Sequence, residues 1–392
     1  MIFENSYTFE QGGGLPKMAS SLSFDIYLIV EHTSWNETKN SLPYIKRNIN
    51  ARKIFVVSSR KILDNDLLGC EFLDENEILE GLSFDSVRNT LASMDAFTKN
   101  TGWYLQQFIK LGISRICKDD YYLVWDADTV PLNPIPFFDE KGRPYLNLKR
   151  EYFSVYFRTI ENLFGLGKSR RESFISEHML FKADLVRKML EEIEANPKFS
   201  GTSFWEKILD ASDLHHFDFI KNDQRFFSEF ETFGTYCEHY YPGLYATRKL
   251  RTLRHGVDFL GKDVSREILE WASKDFDTIS FEKWGSPIPE MMKFVEDDAI
   301  RSKMGFADAI RLFFRQEKQK IFENFPHINH EQFRKFFEKT ISKTNFDFFF
   351  SSKIAYSKRN PIFEDTLLRK SKFFYVTKCR VQRYWRLFTF RF

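Results

Sequence analysis

An α/β fold, built on a mixed and mostly parallel sheet flanked by helices with a C-terminal helical extension, is predicted by three features of this sequence. Short apolar runs alternate with amphipathic segments in a βαβ rhythm. One run, YYLVW at 121–125, is apolar throughout, the pattern of a strand buried on both faces. A composition of 43% hydrophobic and 29% charged residues over 392 positions supplies one large core and a smaller second unit, and excludes a disordered chain.

Residues 1–20 lack a regular pattern and are expected to form a flexible extension; 21–295 form the main domain and 296–392 a helical, basic C-terminal region. FDIYLIV (24–30) and KIFVVSS (53–59) read as buried strands, with SLPYIKRNIN between them as a short helix. CEFLDENEIL (70–79) supplies a third strand. TGWYLQQFIKLGI is a helix with Leu105, Phe108, Ile109 and Gly112 on one face. YYLVWDADTVPL follows as a central strand, and PLNPIP (131–136) forces the chain out of regular structure. After Gly142 the flavour turns antiparallel through PYLNLK and SFISEHMLF, and DLVRKMLEEIE forms a helix that stops before Asn196-Pro197.

A net charge of +3 is too small to predict wholesale nucleic-acid binding. The four cysteines (Cys70, Cys117, Cys237 and Cys379) contain no CxxC pair, which points away from zinc and disulfide frameworks and toward a reducing, cytoplasmic setting. The first residues have no basic-then-apolar leader pattern, and no apolar run approaches the roughly 20 residues of a membrane span.

The chemistry concentrates where the central strand ends. In an open, mostly parallel sheet, ligands sit beyond the carboxyl ends of the strands, and Asp126 and Asp128 occupy such an end. Two carboxylates one residue apart can share Mg2+ or Mn2+, whose shell is completed by water or a diphosphate. The plain alternative for either aspartate is a turn or cap role.

GWYLQQFIKL, YYLVWDADTVPL, ESFISEHMLF and FSEFETFGTY, in that order, resemble a family of bacterial and viral sugar-transferase domains with the GT-A fold. The resemblance covers about residues 23–260 and implies a nucleotide-sugar donor, a divalent metal on Asp126 and Asp128, and a glycan or lipid-linked glycan as acceptor in surface polysaccharide synthesis. His255, in LRHGVD, resembles the third metal ligand of such enzymes. Lys149 and Arg254 are candidates to meet phosphate charge, and Thr33, Gln107 and Trp125 complete the expected donor-binding set. Glu229 and Glu231 are the candidate general bases: Ser228 and Glu231 fit a capping box, which leaves Glu229, at a helix N-terminus, ionised and able to accept a proton. His178, in SEHMLF, is either a satisfied structural histidine or a catalytic residue, and its place in the shared motif implies the acceptor side of the site.

The chain closes with KSKFFYVTKCRVQRYWRLFTFRF, which has no acidic residue after Asp365. Residues 369–392 read as a basic amphipathic helix suited either to peripheral contact with an anionic membrane or to docking on its own domain with the Lys and Arg solvated. Two rival readings fit the same residues. DADTV, with Asp297 and Asp298 as a late acidic motif, also fits a haloacid-dehalogenase-like phosphohydrolase in which Asp126 is the nucleophile. A non-catalytic, metal-dependent carbohydrate-binding module would bind sugar without nucleotide.

Overall fold

The computed structural model describes residues 23–324, apart from 64, 65, 152, 215–223, 255, 284 and 286. Among the described residues ten strands form three sheets: β1 Asp25–Ile29, β2 Ile54–Ser58, β3 Glu71–Asp74, β4 Tyr121–Trp125, β5 Thr129–Pro131, β6 Tyr145–Asn147, β7 His178–Lys182, β8 Ala246–Arg248, β9 Thr252–Leu253 and β10 Thr278–Ser280. The central sheet runs β3-β2-β1-β4-β7. Its first four strands are parallel, and β7 lies antiparallel to β4, with Trp125 opposite His178. Helices flank the sheet, so the predicted mixed, mostly parallel α/β architecture is what the structure shows.

The unbroken apolar runs have the predicted cause. In β4, Tyr122 and Val124 join a core with the helices Thr101–Ile116, Ala183–Ala195 and Glu229–Tyr240, while Tyr121, Leu123 and Trp125 enter a second core with Phe24, Ile26 and Leu28. Each strand residue must therefore be apolar whichever way it points. PYLNLK contributes β6, which pairs parallel with β8 rather than antiparallel, and SFISEHMLF is a strand only from His178 onward.

A third core forms around the small sheet β5-β10-β9. Val130 and Leu132 of the segment leaving β4 pack there with Leu253, Phe259 and Ile279, and with Phe306, Ile310 and Phe313 of the helix Phe306–Asn324. The domain boundary expected at 295/296 falls inside this packed cluster. Gly256 makes the close packing possible: a Cβ there would lie 2.7 Å from Ile279 Cγ2 and 2.8 Å from the Ser280 carbonyl oxygen. No helix among the described residues is long and apolar enough to cross a membrane. The basic tail at 369–392 and the extension at 1–20 lie outside the described residues.

Candidate active site

Because β1, β2 and β4 are parallel and β7 is antiparallel, the carboxyl ends of the first three and the start of β7 share one edge. Asp126-Ala127-Asp128 is the short link between β4 and β5 at that edge, passing the chain from the central sheet to the small one. Its backbone is held on every side. The Asp126 amide donates to the Glu177 carbonyl at 2.8 Å, the Thr129 amide to the Asp126 carbonyl at 2.9 Å, the Ser41 hydroxyl to the Ala127 carbonyl at 2.9 Å, and the Phe281 amide to the Asp128 carbonyl at 2.8 Å.

The Asp126 side chain, 30% exposed, accepts a hydrogen bond on Oδ1 from Lys110 Nζ at 2.9 Å. The same ammonium lies 2.8 Å from Glu229 Oε1. Burial works against the Lys110 charge, but the two carboxylates outweigh it and hold the pKa above the ordinary lysine value. Asp128 is half-buried; loss of hydration and the neighbouring Asp126 charge raise its pKa to about 6. Arg254 is placed beside it by β9, whose partner β10 leads into Phe281 and Glu282. The guanidinium pairs with Glu151, with Glu282 at 2.8 Å and with Glu177 at 3.7 Å. Burial pushes Glu282 up to about 8 despite Arg254. Lys149 pairs with Glu177 at 3.0 Å and donates to the Thr252 hydroxyl. Burial alone would raise Glu177, but Lys149 and Arg254 together draw it below its ordinary value.

Among the described residues, then, six carboxyl groups (Asp126, Asp128, Glu151, Glu177, Glu229 and Glu282) face three cations, Lys110, Lys149 and Arg254. This oxygen-rich excess of negative charge fits Mg2+ or Mn2+. No group of three His, Cys, Asp or Glu side chains converges as a ready-made metal cage among the described residues. A metal held by Asp126 and Asp128 therefore needs further ligands from a bound substrate or from His255, which lies outside the described residues.

The other predicted residues sort by burial. Thr33 is exposed in the turn after β1, and Glu31 beside it reaches Lys283 at 2.6 Å, which places this turn next to the segment that carries Glu282. Trp125 is fully buried, and its indole donates to the Thr129 carbonyl at 2.8 Å. This corrects the expectation of a donor contact: the ring braces the Asp126–Asp128 link from beneath. Gln107 is also buried, its Oε1 accepting from the Glu229 amide at 3.4 Å, so it seats the helix Glu229–Tyr240 instead of reaching toward a donor.

His178, 1% exposed, stacks on Trp125 with ring centroids 4.4 Å apart and meets Asn147 through Nε2 at 2.7 Å. Burial, with Arg248 and Lys149 nearby, drives its pKa well below the ordinary histidine value. It is a neutral core residue here, not one facing an acceptor. Glu229 is 2% exposed and ion-paired with Lys110, its pKa raised by burial against the pull of that ammonium, so the base expected at a helix N-terminus is buried and paired instead of open to an acceptor. Ser228 does cap the helix, accepting from the Glu231 amide at 3.3 Å. The reciprocal half of the expected capping box is missing, because Glu231 accepts from the Phe174 amide at 2.9 Å. Lys110, Glu177 and Glu282 were not singled out from the sequence; the one signal for Lys110 is its place inside the apolar run FIKLGI, where a solvated lysine does not belong.

The late acidic motif of the phosphohydrolase reading also dissolves. Asp297 caps the short helix Asp298–Arg301, and Asp298, 89% exposed, pairs with Arg301 within it. Three strands precede the aspartates, whereas that fold closes its first strand with them. An open cavity of about 530 Å³ lined by Arg143, Tyr145, Arg170, Glu238 and Tyr241 contains none of the predicted site residues.

A family profile matches residues 15–240, more than half of the chain. The chain belongs to DUF6492, a family of unknown function. No curated protein matches its sequence. Among solved structures, it is similar to the galactosyltransferase LgtC in complex with donor and acceptor sugar analogs, at 10% identity and a TM-score of 0.34 over 72% of this chain and 100% of that one. It is also similar to the bifunctional glycosyltransferase WbbM (12% identity, TM-score 0.34, 75% of this chain and 52% of that one) and to the glycosyltransferase GlyE of Streptococcus pneumoniae TIGR4 (11%, 0.32, 76% and 64%). Likeness at this level adds nothing to what the strand order itself shows.

Proposed function

We propose that this member of DUF6492 is a metal-dependent glycosyltransferase that moves a sugar from a nucleotide-sugar donor to a glycan or lipid-linked glycan. The observation that carries the reading is the placement of Asp126 and Asp128 at the carboxyl end of β4, in a cluster where six carboxyl groups meet three cations. The four sequence motifs that resemble GT-A sugar transferases supply the reaction class.

In this reading Asp126 and Asp128 hold Mn2+ or Mg2+ with the donor diphosphate, and His255 is the proposed further ligand. A bound ion there supplies positive charge to the departing nucleoside diphosphate. Lys149 and Arg254 would keep Glu177 and Glu282 paired behind the aspartates, and a diphosphate reaching either cation competes with carboxylates already bound to it. Thr33 is the expected polar contact for the nucleotide. The tail at 369–392 is proposed to bring the enzyme to an anionic membrane surface where a lipid-linked acceptor resides.

A thermal-shift screen of nucleotide sugars with and without Mn2+ tests the reading. A donor that binds only the native state must raise the melting temperature, and the shift should require the metal. No metal-dependent shift with any donor overturns the proposal. Hydrolysis of a generic aryl phosphate ester that is lost in Asp126→Asn would replace it with the phosphohydrolase.

A further inference from the structure

Lys110 is the polar residue of WYLQQFIK that neither the motif nor the fold explains by itself. It sits in the middle of the helix Thr101–Ile116, its side chain only 4% exposed, with Phe108, Ile109, Leu111 and Ile113 around it in sequence, all buried. Burying an ammonium is unfavourable unless it is paired on the spot. Here it is paired twice, to Asp126 Oδ1 at 2.9 Å and to Glu229 Oε1 at 2.8 Å, and it lies 4.5 Å from the centre of the Phe230 ring. Its own backbone is tied to the central sheet, since the Tyr122 hydroxyl donates to the Lys110 carbonyl at 3.0 Å. Glu229 is seated in turn by Gln107, one helical turn before Lys110.

We propose that Lys110 is a positioning residue that fixes the rotamer of Asp126, occupying Oδ1 so that Oδ2 is the oxygen left for the metal, with Glu229 as the counter-charge that allows the lysine to be buried there. The inference rests on the reading of Asp126 as a metal ligand. It gives the buried Glu229 a role that needs no contact with the acceptor. Partners behind a metal ligand commonly set its orientation, and their loss weakens metal binding without removing any direct ligand.

Charge and orientation predict opposite signs, which makes the role testable. Deleting a cation beside a metal ligand should tighten Mn2+ binding if Lys110 acts through charge alone. It should weaken binding if Lys110 holds the carboxylate in place. Lys110→Met alone would strand Glu229 as an unpaired buried carboxylate, so the comparison is Glu229→Gln against Glu229→Gln combined with Lys110→Met. Mn2+ affinity is read by electron paramagnetic resonance of the free ion, on the full chain, with UDP, GDP, CDP or ADP present.

The expected result is about 10-fold to 100-fold weaker Mn2+ binding in the double variant than in Glu229→Gln, with the circular dichroism spectrum retained. Equal or tighter binding in the double variant overturns the positioning role while leaving Asp126 as a ligand. Absence of Mn2+ binding in the unaltered chain with every nucleotide overturns both this inference and the functional reading beneath it. Should the double variant fail to fold, Lys110→Arg keeps the charge and changes the size and donor geometry of the group that holds Oδ1. Weaker Mn2+ binding in that variant supports the proposal, and unchanged binding overturns it.

Discussion

Glu231→Gln should make the protein more stable at neutral and alkaline pH and leave it unchanged in mild acid. Glu231 is 1% exposed, and loss of hydration raises its carboxyl to about 7 even though the Phe174 amide donates to it. A carboxyl raised in the folded state binds its proton more tightly there than in the unfolded chain, so folding is favoured at low pH. That advantage declines as pH rises from the unfolded value of 4.5 and is gone once the folded carboxyl ionises near 7. At about 1.36 kcal/mol per pH unit the full loss is about 3 kcal/mol, most of it between pH 5 and 8. Glutamine stands in for the protonated acid: its amide oxygen can still accept from Phe174, and it never ionises. Urea unfolding at pH 5 and pH 8, extrapolated to water, gives the difference between variant and unaltered chain at each pH. The variant should be ahead by about 2–3 kcal/mol at pH 8 and by much less at pH 5. A variant destabilised equally at both pH values would show that Glu231 is ionised in the fold, and would return it to the list of candidate bases.

Asp126→Ala and Asp128→Ala should each abolish Mn2+-dependent binding of nucleoside diphosphate, measured by calorimetry, while the fold survives because Lys110 keeps Glu229 as a partner; unchanged affinity in both removes the metal role. Glu229→Gln should weaken Mn2+ binding severalfold and lower turnover by less than the ~100-fold to 10,000-fold typical of a lost general base. A loss in that larger range with Mn2+ affinity intact would restore Glu229 as the base. Gly234→Ala should lower the melting temperature, because its Cβ would lie 2.3 Å from the Phe174 ring, an overpacking that costs about 1–3 kcal/mol; an unchanged melting temperature would mean that the ring can move aside.

The central sheet was legible because β1, β2 and β4 announce themselves as continuous apolar runs, and DAD was legible because charge at the end of such a run demands a reason. The small sheet was not. Its strands are two or three residues long, too short for any periodicity, and β10 reaches β5 only by pairing across about 150 positions of sequence. Buried side chains defeated the reading for a different reason. In a strand covered on both faces, the sequence cannot tell which aromatic points toward a ligand, and the donor contact expected of Trp125 gives way to an indole that closes a turn. His178 and Gln107 failed likewise, since a polar residue satisfied by a neighbour distant in sequence looks the same as one awaiting a substrate. Ser228 read correctly as a cap because capping is local, while the partner of Glu231 lies 57 residues away.

The passage of the chain from β4 to β5 within three residues has a mechanical meaning. Asp126 hangs from the sheet that carries Tyr122 and Val124, whereas Asp128 is tied through the Phe281 amide to the strand carrying Ile279, in a separate core. An ion gripped by both aspartates would rivet those two cores together at their shared rim. Amide hydrogen exchange in Thr278–Ser280 should then slow when Mn2+ and nucleotide bind, although that strand holds none of the proposed ligands, and the protein would be stiffest when loaded.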